Sequence, residues 1–161
     1  MSDTVSSGTA ARSSSDDRML AFVVYGLMFV SPFLWGFTGL VGVVIAYVRR
    51  GSAAPLERSH YAFQVRMFWI AMLIVALAAI GFLVGFGYLF TDLFNAATNN
   101  GEGWDAWAAA SFDMNDVTFH GEMVVGFVVG VVLLIVSSLW LMASSLFGVA
   151  RLANLEPVGR A

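Results

Sequence analysis

Residues 49–66 read RRGSAAPLERSHYAFQVR. Arg49, Arg50, Arg58 and Arg66 stand there against a single acid, Glu57, and strongly apolar runs lie on either side. A short arginine-rich loop between apolar segments is retained on the cytoplasmic side of a membrane. With that loop placed inside, the other segments fall into order around it.

Composition agrees with a membrane protein. The chain has 161 residues, 59% of them hydrophobic and only 12% charged, and a mean hydropathy of +0.80. Soluble domains carry about 25% charged residues, and a chain this short has too little interior to hide so much apolar surface from water. The net charge of −3 conceals a segregation. Six of the eleven acids lie between Asp92 and Glu122, a stretch with no Lys or Arg. There is no cysteine, which excludes disulfides, thiolate metal sites and cysteine nucleophiles.

Upstream of the loop, 1–18 is rich in Ser, Thr, Asp and Gly and reads as a disordered cytoplasmic N-terminus. Asp16 and Asp17 spoil the positive region of a cleaved signal, and no A-x-A-like site follows the apolar run. The apolar stretch Met19–Val48 would reach about 45 Å as one helix, against a hydrocarbon core of about 30 Å. Its middle holds Pro32, Gly36 and Gly39, with Ser31-Pro32 suited to a cap and first-turn proline and Thr38 to a second cap. Two short helices, about 19–30 and 37–48, are expected around this break. They form either a hairpin, which keeps Arg18 and Arg49 in one compartment, or one kinked span. The hairpin is the favoured reading, with arms short enough to be re-entrant.

Downstream, Pro55 opens a helix that carries Glu57 in its first turn and continues to about residue 90. The segment 91–122 is the polar region expected outside, with a turn at Asn99-Asn100-Gly101 and a short interfacial helix around Trp104, Trp107 and Phe112. A last span covers about 123–149, and Pro157 follows it before a cytoplasmic tail at 158–161. The fold class is therefore all-α: a polytopic integral membrane protein of four helices, a short broken helix pair plus two full transmembrane helices, in one domain over 19–157.

GLVGVVIAYVRRGSAAPLERSHYAFQVRMFWI, residues 39–70, resembles the core of a widespread family of small bacterial multi-span membrane proteins. That family is distantly similar to the chloroplast inner-envelope import component and to magnetosome membrane proteins. The likeness is carried by the half-helix ending in Ile45-Ala46-Tyr47-Val48-Arg49-Arg50, by Ser59-His60-Tyr61, Phe63-Gln64 and Arg66-Met67-Phe68-Trp69, and by the tail GVARLANLEP at 148–157. Ser144-Ser145-Leu146 stand where the family carries a basic residue, and the 91–122 loop is longer and more acidic. The resemblance implies a fold, a topology and the bacterial inner membrane, and no activity.

Candidate chemistry is sparse. None of the three apolar runs contains an ionisable acid, base or histidine. Such groups mark proton relays and ion paths, so their absence argues against a proton-coupled transporter, a pump or an intramembrane hydrolase. His60 and Gln64 share a helix face. With Arg66, Arg49 and Arg50 they form the candidate interaction site, or else His60 and Gln64 pair with the hairpin while Arg66 snorkels to headgroups. Gly81-x-x-x-Gly85 and Gly126-x-x-x-Gly130 are small-x-x-x-small motifs suited to close helix packing, within the chain first and as a dimer seam second. Asp113, Asp116, His120 and Glu122 match no metal motif and read as a solvated acidic loop. Ser137, Ser138, Ser144 and Ser145 have no His–Asp pair to activate them. The expectation is a protein that is not an enzyme and needs no cofactor: an accessory or scaffold subunit in contact with the lipid bilayer and with another membrane protein or itself, and not with nucleic acid. The alternative is a small transporter or protein-translocation component, since broken helices line transporter sites.

Overall fold

A computed structural model describes residues 3–99 and 121–159, with side chains over 15–94 and 121–159. The described residues are helical apart from turns at 35–36 and 51–54 and the segment 154–159, without a strand. Helix α1 runs Asp3–Val30, a 3-10 turn covers Ser31–Leu34, α2 runs Phe37–Arg50, α3 runs Pro55–Asn99 and α4 runs Gly121–Ala153. Three helical stretches are long and apolar enough to cross a membrane: Ser15–Leu34, Pro55–Phe94 and Gly121–Ala153.

Several boundaries differ from the sequence reading. The first helix begins at Asp3, not Met19, so the segment expected to be disordered is helical from Asp3 onward. At its described end the cause is tertiary. Asp17 is buried and paired with Arg49, and its carbonyl receives a hydrogen bond from Tyr61. That extra turn also makes the first arm a third stretch of crossing length, where two were expected. Helix α3 runs past residue 90 to Asn99, supported by the Thr91 hydroxyl bonding to the Gly87 carbonyl and by the stacked rings of Phe90 and Phe94. The interfacial helix expected around Trp104 lies outside the described residues.

Contacts divide the chain into two units, Met1–Leu73 with Val136–Ala161, and Ile74–Ile135. In the first unit α1 and α2 form a hairpin. Asp17 at the base of one arm lies 3.6 Å from Arg49 at the base of the other, so the chain between them goes out and returns. That pair rules out the single kinked span. The turn between the arms starts on Pro32, which needs no N–H at a helix start. It closes with Trp35 and Gly36 in left-handed backbone, φ 53° and 84°. Gly36 caps α2, so Thr38 falls inside the first turn and its hydroxyl has no partner. Gly39 and Gly42 let the arms approach: a Cβ on Gly42 would touch Met28 and Leu27, and one on Gly39 would collide with Ser31. The core of this unit joins Val24, Tyr25 and Met28 of α1 to Val43 and Ala46 of α2, Tyr61 and Phe68 of α3, and Leu152 of α4.

Helix α4 ends in a Schellman-type cap. Glu156 N–H bonds to the Arg151 carbonyl at 2.9 Å and Leu155 takes the left-handed position, φ 59°, after which Pro157 prevents a further turn. The second unit is a pair of antiparallel helical segments. Gly81 and Gly85 of α3 face Gly126 and Gly130 of α4, with Phe127 set against Phe82 and Phe86 at ring distances of 6.0 and 4.9 Å.

Candidate functional site

The polar groups of the first unit converge on one face of α3. Glu57, His60, Tyr61 and Gln64 are spaced i, i+3, i+4, i+7, which places them along one side of a helix. All four are buried, and each has a partner on α1. Glu57 Oε1 lies 3.7 Å from Arg18 Nε. The Tyr61 hydroxyl donates to the Asp17 carbonyl at 2.9 Å, and Gln64 Nε2 donates to the Ala21 carbonyl at 3.0 Å.

His60 has both ring nitrogens engaged. Nε2 lies 3.1 Å from the Glu156 carbonyl, which can only accept, so Nε2 carries the proton and donates. Nδ1 then accepts from the Tyr25 hydroxyl at 3.0 Å. The tautomer follows from the partners. Tyr25 stands edge-on to the imidazole and presses on Gly148, where a Cβ would collide with the ring. The segment after α4 covers the arrangement. Val158 N–H donates to Ser59 Oγ at 3.2 Å, Ser59 O–H donates to the Leu56 carbonyl at 2.7 Å, and Arg151 holds both Glu156 and the Pro157 carbonyl. Four parts of the chain (α1, α2 through Arg49, α3 and the 154–159 segment) are thus tied by polar bonds around a buried histidine.

The residues singled out by sequence fall in different places. His60 and Gln64 are interior groups bonded to α1 and to the C-terminal segment, so neither is open to an outside partner. Arg49 is half exposed and paired with Asp17. Arg50 and Arg66 are exposed. Arg66 reaches back along α3, its Nη2 lying 3.8 Å from where a Cβ on Gly159 would stand, beside the Val158–Ser59 bond. Pro32, Gly36 and Gly39 form the helix break, remote from His60, with Gly39 against Ser31 and Phe68. Phe33, Trp35 and Phe37 point outward there and do not plug it. Gly81, Gly85, Gly126 and Gly130 belong to the second unit. Glu122 is exposed at the start of α4, while Asp113, Asp116 and His120 lie outside the described residues. Ser137 bonds across to the Ala71 carbonyl.

Sequence reasoning missed Asp17, Tyr25, Glu57 and Tyr61 as members of this site. Tyr25 carried a signal: it is the one tyrosine in the first apolar arm, and its hydroxyl must find a partner in an apolar setting. Asp17 gave none, because nothing in its polar surroundings points to Arg49.

The described residues are thus all-helical in class, with three helical stretches long and apolar enough to cross a membrane and a closed polar knot in the first unit. No family model matches the chain, and no significant match was found among curated proteins or solved structures.

Proposed function

We propose that the chain is a multi-pass protein of the bacterial inner membrane, with both termini cytoplasmic, that acts as a non-enzymatic accessory or scaffold subunit for other membrane proteins. The observation that carries the reading is His60: both its nitrogens are spent on holding helices together, one on Tyr25 and one on the Glu156 carbonyl. A metal-binding histidine gives one nitrogen to the metal while the other is hydrogen-bonded, whereas both nitrogens of this one are bonded within the chain. The outer faces support the membrane part of the reading, since Leu73, Leu83, Phe90, Val125, Leu139 and Leu146 are all exposed apolar side chains.

The test is purification from native membranes in mild detergent, with crosslinking and mass spectrometry. A reproducible stoichiometric partner is the expected result. Recovery of the chain alone overturns the subunit reading. Reporter fusions after Gly8 and after Asn100 test the orientation, with a cytoplasmic signal expected from the first and an external one from the second.

A second reading, a small transporter or translocation component, draws on one observation. Gln64 Oε1, Thr38 Oγ1 and Ser145 Oγ are buried without a hydrogen-bond partner, and buried polar atoms with spare bonding capacity call for an explanation. Solute uptake by proteoliposomes of the purified chain is the measurement that favours it.

A further inference from the structure

We propose that the α1–α2 hairpin is a re-entrant wedge that ends within the hydrocarbon, its tip at residues 33–37 covered by lipid acyl chains. The inference rests on the membrane reading above and adds where the hairpin stops and what covers its end.

Length is the first argument. Ser15–Leu34 reaches crossing length only by including Asp16, Asp17 and Arg18 at the charged base; above it the first arm rises about 26 Å from Arg18 to Leu34 and the second about 18 Å from Arg49 to Phe37, at ~1.5 Å per α-helical and ~2.0 Å per 3-10 residue. The hydrocarbon core is about 30 Å thick, and headgroups add to it. The bases of both arms are fixed at one level by charge, through Asp17–Arg49 and Arg18–Glu57. Arms of this length rising from a charged base end inside the hydrocarbon.

Depth against α3 is the second. The tip packs at Phe68: a Cβ on Gly39 would stand 3.6 Å from its ring. Phe68 lies only about 16 Å along α3 from Glu57. The contact at Phe68 thus lies about as far from the charged base as the second arm is long.

The surface of the tip is the third. Phe33, Trp35 and Phe37 are 66%, 94% and 71% exposed, and no charged residue occurs between Arg18 and Arg49. Backbone exposed to lipid must satisfy its own polar groups. Two of the turn's N–H groups are met from within, Gly36 N–H donating to the Ser31 carbonyl at 2.9 Å and Leu40 N–H to the Gly36 carbonyl at 3.1 Å. The aromatic side chains of the tip meet acyl chains directly.

The chain lacks cysteine, so single substitutions report cleanly. Trp35→Cys and Phe33→Cys are made separately, and the full chain is reconstituted in phosphatidylethanolamine–phosphatidylglycerol vesicles of known orientation. Each is probed with a membrane-impermeant maleimide from either side. Each is then spin-labelled, and collisions with oxygen and with a water-soluble nickel chelate are compared. The expected result at both sites is loss of maleimide labelling from both sides, with strong oxygen and weak nickel relaxation. Labelling from the outer side means that the hairpin crosses. Labelling from the inner side means that the tip stays in water. Weak relaxation by both agents means that a protein surface covers it. Each of these three overturns the proposal. Gly51→Cys and Asn100→Cys run in parallel and report on orientation alone, so a failure of the topology is seen separately from a failure of the wedge.

Discussion

At the scale of single residues, the histidine knot sets the cost of change. Tyr25→Phe removes one hydroxyl and leaves His60 Nδ1 buried without its donor. An orphaned buried acceptor costs about 1–3 kcal/mol, and thermal unfolding of the detergent-solubilised protein reads the loss. Leu155 gives the opposite sign. Its left-handed backbone, φ 59°, costs a residue with a side chain about 1–2 kcal/mol. Glycine removes that strain but loses ~0.5–1 kcal/mol of chain entropy on folding. Leu155 is exposed, so little packing is lost. Leu155→Gly therefore stabilises the protein by up to about 1.5 kcal/mol, the difference of those two effects, seen as a raised Tm. Of this site, His60 and Gln64 were legible as one helix face, because that follows from spacing alone. Their inward bonding was not, since the partners Tyr25, Ala21 and Glu156 lie far off in sequence and offer a hydroxyl and two backbone carbonyls without a pattern.

At the scale of elements, glycine position decides how closely helices approach. A Cβ on Gly126 would stand 2.8 Å from the Gly81 carbonyl oxygen and 2.9 Å from Gly85 N. Both are backbone atoms of α3 and can yield only if the helices separate. Gly126→Ala is expected to destabilise by about 1–3 kcal/mol, the usual cost of overpacking. Gly87, on α3 in the same unit, faces open space. Gly87→Ala should be neutral or stabilising by up to about 1 kcal/mol, from helix propensity. Thermal unfolding of the pair distinguishes packing from propensity, and equal losses would sink the packing account. The small-x-x-x-small spacing was visible in sequence because it is local. Helix ends were less so: α1 begins at Asp3 and α3 runs on to Asn99, past the points where apolar composition fades.

At the scale of the whole molecule, the proposed membrane setting predicts that alkaline carbonate leaves the chain in the membrane pellet, while detergent releases it. Appearance in the carbonate supernatant would refute insertion. Composition made the helical class and the apolar runs legible. The placement of Arg18 and Arg49 already favoured a hairpin over a kinked span, and the pairing of Asp17 with Arg49 across the fold decides it. The bond from His60 to the Glu156 carbonyl has a further consequence, in time. Its two ends are 96 residues apart. At ~5–20 residues per second of translation, His60 waits roughly 5–20 s after its own synthesis before Glu156 exists. Tyr25 is already made, so a nascent chain can close the first bond at once and the second only after α4 has emerged. During that interval the imidazole has one nitrogen uncovered, and its closure marks the difference between a chain still being built and a finished one.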